Sequence, residues 1–187
     1  MADDTTSSGS LTIGVISDTH GLLRPSAIAA LRGSDVILHA GDVGGQDILD
    51  SLGELAPVHV VRGNTDHGLW AATLPRTEVV SVEGADIYMV HDIEDLDLDP
   101  AAADFDMVVY GHSHRPDVAV RGGVTYFNPG AAGHRRFSLP VTVGKVRVTP
   151  ATIQMRAIRV AWREWRMRAA VALALVPGPA PRRHGRR

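Results

Sequence analysis

Five short polar motifs in the first two thirds of the chain carry side chains that could bind metal ions. Each motif follows an apolar run, and the candidate ligands are two aspartates, one asparagine and four histidines. Oxygen and imidazole ligands in this number suit two divalent cations rather than one. The motifs are Asp18-Thr19-His20, Gly41-Asp42, Gly63-Asn64-Thr65-Asp66, His91 and Gly111-His112-Ser113-His114.

Strands that end at a common edge would bring these motifs together. Helical segments at 25–31 and 45–52 separate the first three strands, and Pro25 suits the first turn of its helix. Alternation of strands and helices indicates parallel pairing with right-handed crossovers. The strands predicted ahead of the five motifs span residues 11–17, 36–39, 58–62, 86–91 and 107–110.

The second half of the chain is rich in short strands with Gly and Pro turns. Residues 77–82 and 86–91 predict a hairpin through Glu83-Gly84-Ala85. An α/β half followed by a β-rich half predicts two sheets packed face to face, with helices outside. Further strands are predicted at residues 118–120, 124–127, 141–143, 145–149 and 153–160.

Composition limits the kinds of site that the chain can build. The 187 residues predict one domain with a hydrophobic core. The chain contains no cysteine, which excludes disulfides and thiolate metal ligands. Residues 1–10 lack the basic and apolar regions of a signal peptide, and the apolar run 169–176 is too short to cross a bilayer. We therefore predict a cytoplasmic protein without a membrane span.

The chain is predicted to have three segments: a disordered leader at 1–10, a domain at 11–160 and a C-terminal extension at 161–187. Residues 1–150 carry 10 Lys and Arg against 20 Asp and Glu, whereas residues 151–187 carry 9 Arg against one Glu. Apolar residues recur at helical spacing from Trp162 to Val171, and a Pro-rich break follows. The extension is predicted to be a helical and disordered appendage, and the alternative is a basic contact for nucleic acid, an acidic partner or a membrane surface.

In the order and the residues of its motifs, the sequence resembles a known family of enzymes. The blocks from Gly14 to His20, His39 to Asp42, Val61 to Asp66 and Tyr110 to His114, followed by Asn128-Pro129-Gly130, resemble those of the calcineurin-like metallophosphoesterases. The resemblance is to the small phosphodiesterases of the YfcE type and covers residues 11–160. It implies an α/β fold, a four-layer α/β/β/α sandwich of two mixed sheets with flanking helices.

The resemblance also implies a pair of divalent metal ions, with Mn expected first and Ni, Fe, Co or Zn as alternatives. A hydroxide that bridges the metals would attack the phosphorus of a phosphodiester. Asn64 would help to offset the charge on the phosphoryl oxygens and contact the substrate. The implied ligands are Asp18, His20 and His114 for the first metal, Asn64, His91 and His112 for the second, and Asp42 as the bridge.

Two positions depart from the family pattern near the expected proton donor. Thr65 stands where many members of the wider superfamily have a histidine, and Ile93 replaces the second histidine of a His-Gly-His motif. His67 is a candidate acid for the leaving group, although a surface histidine would look the same. Arg135, within His134-Arg135-Arg136, is a candidate for phosphate binding, and the alternative is a solvated arginine.

We therefore predict a metal-dependent phosphodiesterase in which Asp42, Asn64 and His67 take part in catalysis. Its substrate would be a phosphodiester, with a nucleotide-like compound as one option. The alternatives are a phosphomonoesterase or nucleotidase, and a non-catalytic scaffold like the retromer subunit that shares this fold. Homo-oligomers are common in the family, and the basic extension is a candidate site for an acidic partner.

Overall fold

Two β-sheets form the centre of the computed structural model, which describes residues 9–149 and 152–160 and the backbone of 171–177. The first sheet has six strands in the order β11-β10-β9-β1-β2-β3, and the second has five in the order β4-β5-β6-β8-β7. The strands are β1 (Leu11–Ile16), β2 (Val36–His39), β3 (Val58–Val60), β4 (Thr77–Val82), β5 (Ala85–Val90), β6 (Met107–Val109), β7 (Asp117–Arg121), β8 (Val124–Asn128), β9 (Thr142–Thr149), β10 (Thr152–Arg159) and β11 (Val171–Pro177).

Both sheets are mixed, as predicted. In the first sheet β1 pairs in parallel with β2 and β2 with β3, while β9 runs antiparallel to β1. In the second sheet β5, β6 and β8 are parallel neighbours, and β4 and β7 pair antiparallel at the two edges. The carboxyl ends of the parallel strands therefore point to one rim in each sheet.

The main hydrophobic core lies between the two sheets. It consists of alternate residues of the strands, as expected for strands that bury one face here. Val15 and Leu38 of the first sheet and Met89 and Phe127 of the second are all fully buried in it. The opposite face of the first sheet packs on helices α1 (Pro25–Leu31) and α2 (Gln46–Gly53) through a second cluster.

The outer face of the second sheet is covered by a loop segment. Tyr88 and Val108 on this face pack against Phe105 and other apolar residues from 93–105. Among the described residues, this fourth layer contains a 3₁₀ turn (Ile93–Asp95) and no α-helix. The predicted four-layer sandwich is confirmed, and a short acidic loop takes the place of a regular helix in its outermost layer.

Two predictions for the C-terminal part of the chain, one of strands and one of a helix, need correction. The predicted strands 141–143 and 145–149 form one strand, β9, because Gly144 continues the ladder opposite Val15. Its missing side chain leaves room for the ring of Phe127, which lies 2.5 Å from where a Cβ would stand. A helix was expected to continue to Val171, but residues 171–177 form β11, because the edge of β10 offers unpaired backbone groups to an apolar segment.

Several predictions lie wholly or partly outside the described residues. They include most of the leader at 1–10 and the extension apart from β11, so the three-segment division stays a prediction. The described residues contain a third helix, α3 (Leu69–Ala72), of a single turn. None of the described helices has the length and apolar character needed to cross a membrane.

His39, the last residue of β2, is completely buried. Its Nε2 lies 2.9 Å from Thr19 Oγ1, and the Thr19 hydroxyl donates at 2.8 Å to the carbonyl of Val43. Nε2 therefore carries the ring proton, and Nδ1 is left without a hydrogen-bond partner among the described residues. Burial lowers the pKa of His39 from 6.5 to about 4, so the ring is neutral in the folded protein at neutral pH.

We predict that His39 makes the fold sensitive to mild acid. The unfolded chain binds a proton here below pH 6.5 and the folded chain below about 4, so stability is lost as the pH falls through this window. Between pH 7 and pH 5 the unfolding free energy of wild type should fall by about 2 kcal/mol more than that of His39→Gln. Urea denaturation with a chelator present measures the difference, and parallel losses in both proteins would contradict it.

Candidate metal centre

Hydrogen bonds between strand-end loops bring the motif residues together at one rim. The amides of Asp18 and His20 donate to the carbonyls of Gly41 and Asp42 at 3.0 and 2.9 Å. These bonds continue the parallel pairing of β1 and β2 beyond the strand ends. The amide of Gly111 donates to the carbonyl of His91 at 2.9 Å and joins two loops of the second sheet in the same way.

Five of the predicted ligands have left-handed backbone conformations. Non-glycine residues adopt such positive φ angles rarely, and they cost of order 1–3 kcal/mol each when the surroundings impose them. Conformations of this kind cluster at functional sites, because they turn side chains towards a common point. The five residues and their φ angles are Asp18 (54°), His20 (46°), Asp42 (55°), His112 (63°) and His114 (58°).

The first group of candidate ligands consists of Asp18, His20 and His114. The Nε2 atoms of the two histidines lie 3.2 Å apart, and His114 Nε2 lies 3.3 Å from Asp18 Oδ1. That oxygen is buried and has no hydrogen-bond partner among the described residues. One atom from each of the three residues lies within 4.8 Å of the others. An unpaired buried carboxylate oxygen facing two imidazoles fits a divalent cation.

The second group consists of Asn64, His91 and His112. Asn64 Oδ1 lies 3.1 Å from both His91 Nε2 and His112 Nδ1. His91 Nδ1 lies 2.7 Å from the carbonyl of Ala40 and must donate to it. In neutral His91, Nε2 is therefore an acceptor that faces the Asn64 oxygen and, at 3.4 Å, Asp42 Oδ2. Acceptors that converge in this way fit a bound cation.

Asp42 lies between the two groups. Its Oδ2 is 3.4 Å from His91 Nε2 and 3.7 Å from His20 Nε2. Its Oδ1 accepts a hydrogen bond from the amide of Thr65 at 2.8 Å, which fixes the orientation of the carboxylate. The residue predicted as the bridge is thus the residue that contacts both groups.

Burial and neighbouring charges set the protonation of these side chains. Burial lowers the pKa of His114 to about 4 and also lowers that of His20, so both imidazoles are neutral at pH 7. Burial raises the pKa of Asp18 to about 6. Burial opposes protonation of His91, but the hydrogen bond to Asp42 outweighs it and raises the His91 pKa to about 8. Burial also opposes ionisation of Asp42, but His91 holds the Asp42 pKa far below its usual range. Neutral imidazoles and ionised carboxylates are the forms that bind metals, so a metal bound at His91 would displace the proton on Nε2.

A second layer of polar residues holds the candidate ligands in place. Asp66, buried in the motif after β3, accepts from the amides of Gly44 at 2.8 Å and Gly63 at 2.9 Å. The side-chain amide of Asn128 donates to the carbonyl of Gly111 at 2.6 Å and so supports the loop that carries His112. The Asn128-Pro129-Gly130 motif therefore reaches the rim.

Asp92 supports His112 from outside the candidate centre. Its Oδ2 lies 3.4 Å from His112 Nε2, on the opposite side of the ring from Asn64, and its Oδ1 accepts from the amide of Glu94 at 3.1 Å. A carboxylate in this position fixes the orientation of a ligating imidazole and makes it a better donor to a metal. Sequence reasoning missed this role, although Asp92 directly follows the predicted ligand His91.

We predict that Asp92→Asn weakens binding of the second metal by about 10–100-fold while the protein stays folded. The matched control is Glu94→Gln, which removes an exposed carboxylate two residues away whose side chain forms no hydrogen bond or ion pair with a described residue. Titration of metal-free protein with Mn²⁺, followed by calorimetry, measures both variants. Equal affinities for the two variants would show that Asp92 does not support the site.

The predicted residues that lie outside the two groups are His67 and Arg135. Both are exposed, and neither forms a hydrogen bond or an ion pair with another residue that the structure describes. Arg136 lies closer, with Nη2 3.4 Å from His20 Nε2. Thr65 also contacts His20, through its Oγ1 at 3.3 Å from Nδ1. The motif His134-Arg135-Arg136 thus reaches the rim through its second arginine.

Two solved structures resemble this fold at low sequence identity. Vps29 of Chaetomium thermophilum superposes with a TM-score of 0.75 at 20% identity, over 91% of this chain and 100% of that protein. Yfce, a phosphoesterase from E. coli, superposes with a TM-score of 0.58 at 24% identity, over 77% of this chain and 91% of that protein. At these identities the likeness concerns the fold alone.

Sequence comparison identifies the family directly. A probable metallophosphoesterase from Methanothermobacter thermautotrophicus is 33% identical over 159 residues, which span 79% of this chain and 91% of the relative. The profile of the calcineurin-like phosphoesterase superfamily domain matches residues 11–150, the segment that contains every candidate ligand. By this match and by its metallophosphoesterase relatives, the chain belongs to the calcineurin-like phosphoesterase superfamily.

Proposed function

We propose that this protein is a phosphodiesterase that depends on two divalent metal ions. The observation that carries the proposal is the position of Asp42, whose Oδ2 lies 3.7 Å from His20 and 3.4 Å from His91. One carboxylate oxygen thus faces both groups of candidate ligands. A shared carboxylate is typical of sites in which two metals lie about 3.5–4 Å apart. When bound, such ions supply a hydroxide from water at neutral pH and offset charge on the phosphoryl oxygens.

The protein's own residues would hold and orient the ions and the substrate. Asp18, His20 and His114 would hold the first ion, and Asn64, His91 and His112 the second. His91 donates from Nδ1 to Ala40 at 2.7 Å, which leaves its Nε2 free as a ligand. Manganese is the ion we expect first from the resemblance to the family, with Ni, Fe, Co or Zn as alternatives. The carboxylate and amide oxygens suit manganese, whereas the imidazoles also suit Ni, Fe and Zn.

Arginine side chains would orient the phosphate at the open side of the centre. Arg136 lies 3.4 Å from His20 Nε2, so its guanidinium can reach a phosphoryl oxygen bound there and offer two parallel hydrogen bonds. Arg135, exposed in the same loop, would contact the remainder of the substrate. His67, exposed beside the Asn64 turn, is our candidate to give a proton to the leaving oxygen.

Hydrolysis of a panel of esters tests the proposal. Protein loaded with Mn²⁺, Ni²⁺, Co²⁺ or Zn²⁺ should hydrolyse bis(p-nitrophenyl) phosphate, with a larger kcat/KM than for p-nitrophenyl phosphate. The reverse preference would make the protein a phosphomonoesterase, the nearest alternative. Absence of hydrolysis of both esters with all four ions would contradict the proposal and favour a non-catalytic role for the fold.

A further inference from the structure

A cavity of about 440 Å³ adjoins the candidate metal centre on the side of the second metal group. It is lined by His91, a candidate ligand, and by Arg62, which stands two residues before the ligand Asn64. Its size falls within the range of small-molecule sites, about 300–1,000 Å³. Nothing in the metal chemistry above makes use of this cavity.

The mouth of the cavity carries four charged side chains that are not paired with one another. Arg62 and Arg76 contribute guanidinium groups, and Asp95 and Asp97 contribute carboxylates. None of the four side chains forms an ion pair or a hydrogen bond with any residue in the described part of the chain. The amide of Arg62 donates to the carbonyl of Pro75 at 2.7 Å, which keeps Arg62 beside Arg76. Both signs of charge are therefore available to a ligand.

The floor of the cavity lies on the outer face of the second sheet and includes the hydroxyl of Tyr88. Tyr88 and Val90 point to the outer face of the second sheet, and both line the cavity. Tyr88 is only 5% exposed, yet its hydroxyl hydrogen-bonds to no described residue. The hydroxyl is not one of the buried atoms without a partner, so solvent reaches it and a molecule bound in the cavity can form a hydrogen bond with it.

The mixture of groups narrows the class of ligand. A second phosphate would suit the two arginines but would be repelled by Asp95 and Asp97, and an apolar group would leave all four charges without partners. A nucleoside uses both kinds of group. Guanidinium groups stack on a base and donate to its ring nitrogens and carbonyls, while carboxylates accept from ribose hydroxyls and exocyclic amines.

We propose that this cavity binds the nucleoside part of a phosphate ester whose phosphate lies at the adjoining metal centre. The inference rests on the proposed function, because it assumes that the centre binds phosphate. The substrate of the enzyme would then be a nucleotide ester. Arg62 and Arg76 would contact the base, and the two carboxylates would accept hydrogen bonds from the ribose hydroxyls and the exocyclic amine.

Calorimetry with metal-loaded, full-length protein tests the cavity without turnover. The probes are adenosine 5′-monophosphorothioate, a slowly hydrolysed nucleotide analogue, and inorganic thiophosphate, which shares only its anionic group. Wild type should bind the nucleotide analogue at least about 10-fold more tightly than thiophosphate, since two or three additional hydrogen bonds contribute. Arg76→Gln should reduce this ratio to within about 3-fold of unity, whereas Arg32→Gln, an exposed arginine at the end of α1, should keep it.

The possible outcomes separate this inference from the proposed function. Equal binding of the two probes by wild type, or an unchanged ratio in Arg76→Gln, would overturn the nucleoside site. Hydrolysis of the aryl diester together with equal binding would leave the proposed function intact and reject only the cavity. A ratio lost in Arg76→Gln and kept in Arg32→Gln would support the nucleoside site.

Discussion

Asp42→Asn should lower kcat/KM for bis(p-nitrophenyl) phosphate by about 10³-fold or more, equivalent to about 4 kcal/mol of transition-state stabilisation. The substitution keeps the size of the side chain. The amide oxygen of the new asparagine can still accept the hydrogen bond that Asp42 Oδ1 accepts from the amide of Thr65 at 2.8 Å in wild type. The change replaces the Oδ2 that faces His20 and His91 by an amide nitrogen, which has no lone pair for a metal. Both groups of ligands would lose their shared member.

The control for this prediction is Asp47→Asn, which neutralises an exposed carboxylate in the first turn of α2. Its activity should match wild type, so a general effect of lost negative charge is excluded. Circular dichroism should show that both variants keep the fold. Activity in Asp42→Asn within about 10-fold of wild type would show that Asp42 is not a shared ligand.

Gly63→Ala should destabilise the protein by roughly 3 kcal/mol or more and remove metal binding. A Cβ at Gly63 would collide with both the side-chain Oδ1 and the backbone nitrogen of Asp42. Because backbone atoms cannot move aside as a flexible side chain can, the turn that carries Asn64 would have to separate from Asp42. Thermal denaturation with and without Mn²⁺ measures the loss of stability and the loss of stabilisation by the metal.

Gly53→Ala is the matched control, because a Cβ at Gly53 would meet no atom within 4 Å. Gly53 ends α2, and alanine there should leave stability unchanged or raise it by up to about 1 kcal/mol. If both variants lost the same stability, the close packing of Gly63 against Asp42 would not explain the effect.

The candidate ligands could be predicted from the sequence because each one follows a strand. Parallel strands place their carboxyl ends at one rim, so motifs as distant as Asp18 and His114 were expected to meet, and their nitrogen and oxygen atoms lie 3.3 Å apart. The strong alternation of the first half of the chain also predicted α1, α2 and the pairing of β1 with β2. These features depend on local pattern and on general rules of topology.

The features that could not be predicted depend on contacts between segments with no pattern of their own. The contact of Asp92 with His112, 3.4 Å across two loops, leaves no periodic signal in the sequence. Which of the two arginines, Arg135 or Arg136, contacts His20 depends on the conformation of one exposed loop. The strand β11 was not predicted, because a short apolar segment that follows residues with helical spacing can form either a helix or a strand. Pairing with the edge of β10 makes it a strand.

The role of Thr65 in the structure differs from the role that the sequence suggested. Its position suggested a missing proton donor, since threonine is a poor acid. In the fold its amide supports Asp42 at 2.8 Å and its hydroxyl contacts His20 Nδ1 at 3.3 Å. The residue therefore connects the shared carboxylate to the first group of ligands, and the source of the leaving-group proton has to be sought elsewhere, with His67 as our candidate.

Anomalous diffraction from crystals of the Mn²⁺-loaded protein would show how many metal ions the centre binds and whether they share Asp42. We expect two anomalous peaks about 3.5–4 Å apart, one among Asp18, His20 and His114 and the other among Asn64, His91 and His112. Both peaks should contact the carboxylate of Asp42. A single peak, or two peaks that do not share Asp42, would contradict a two-metal centre in this protein.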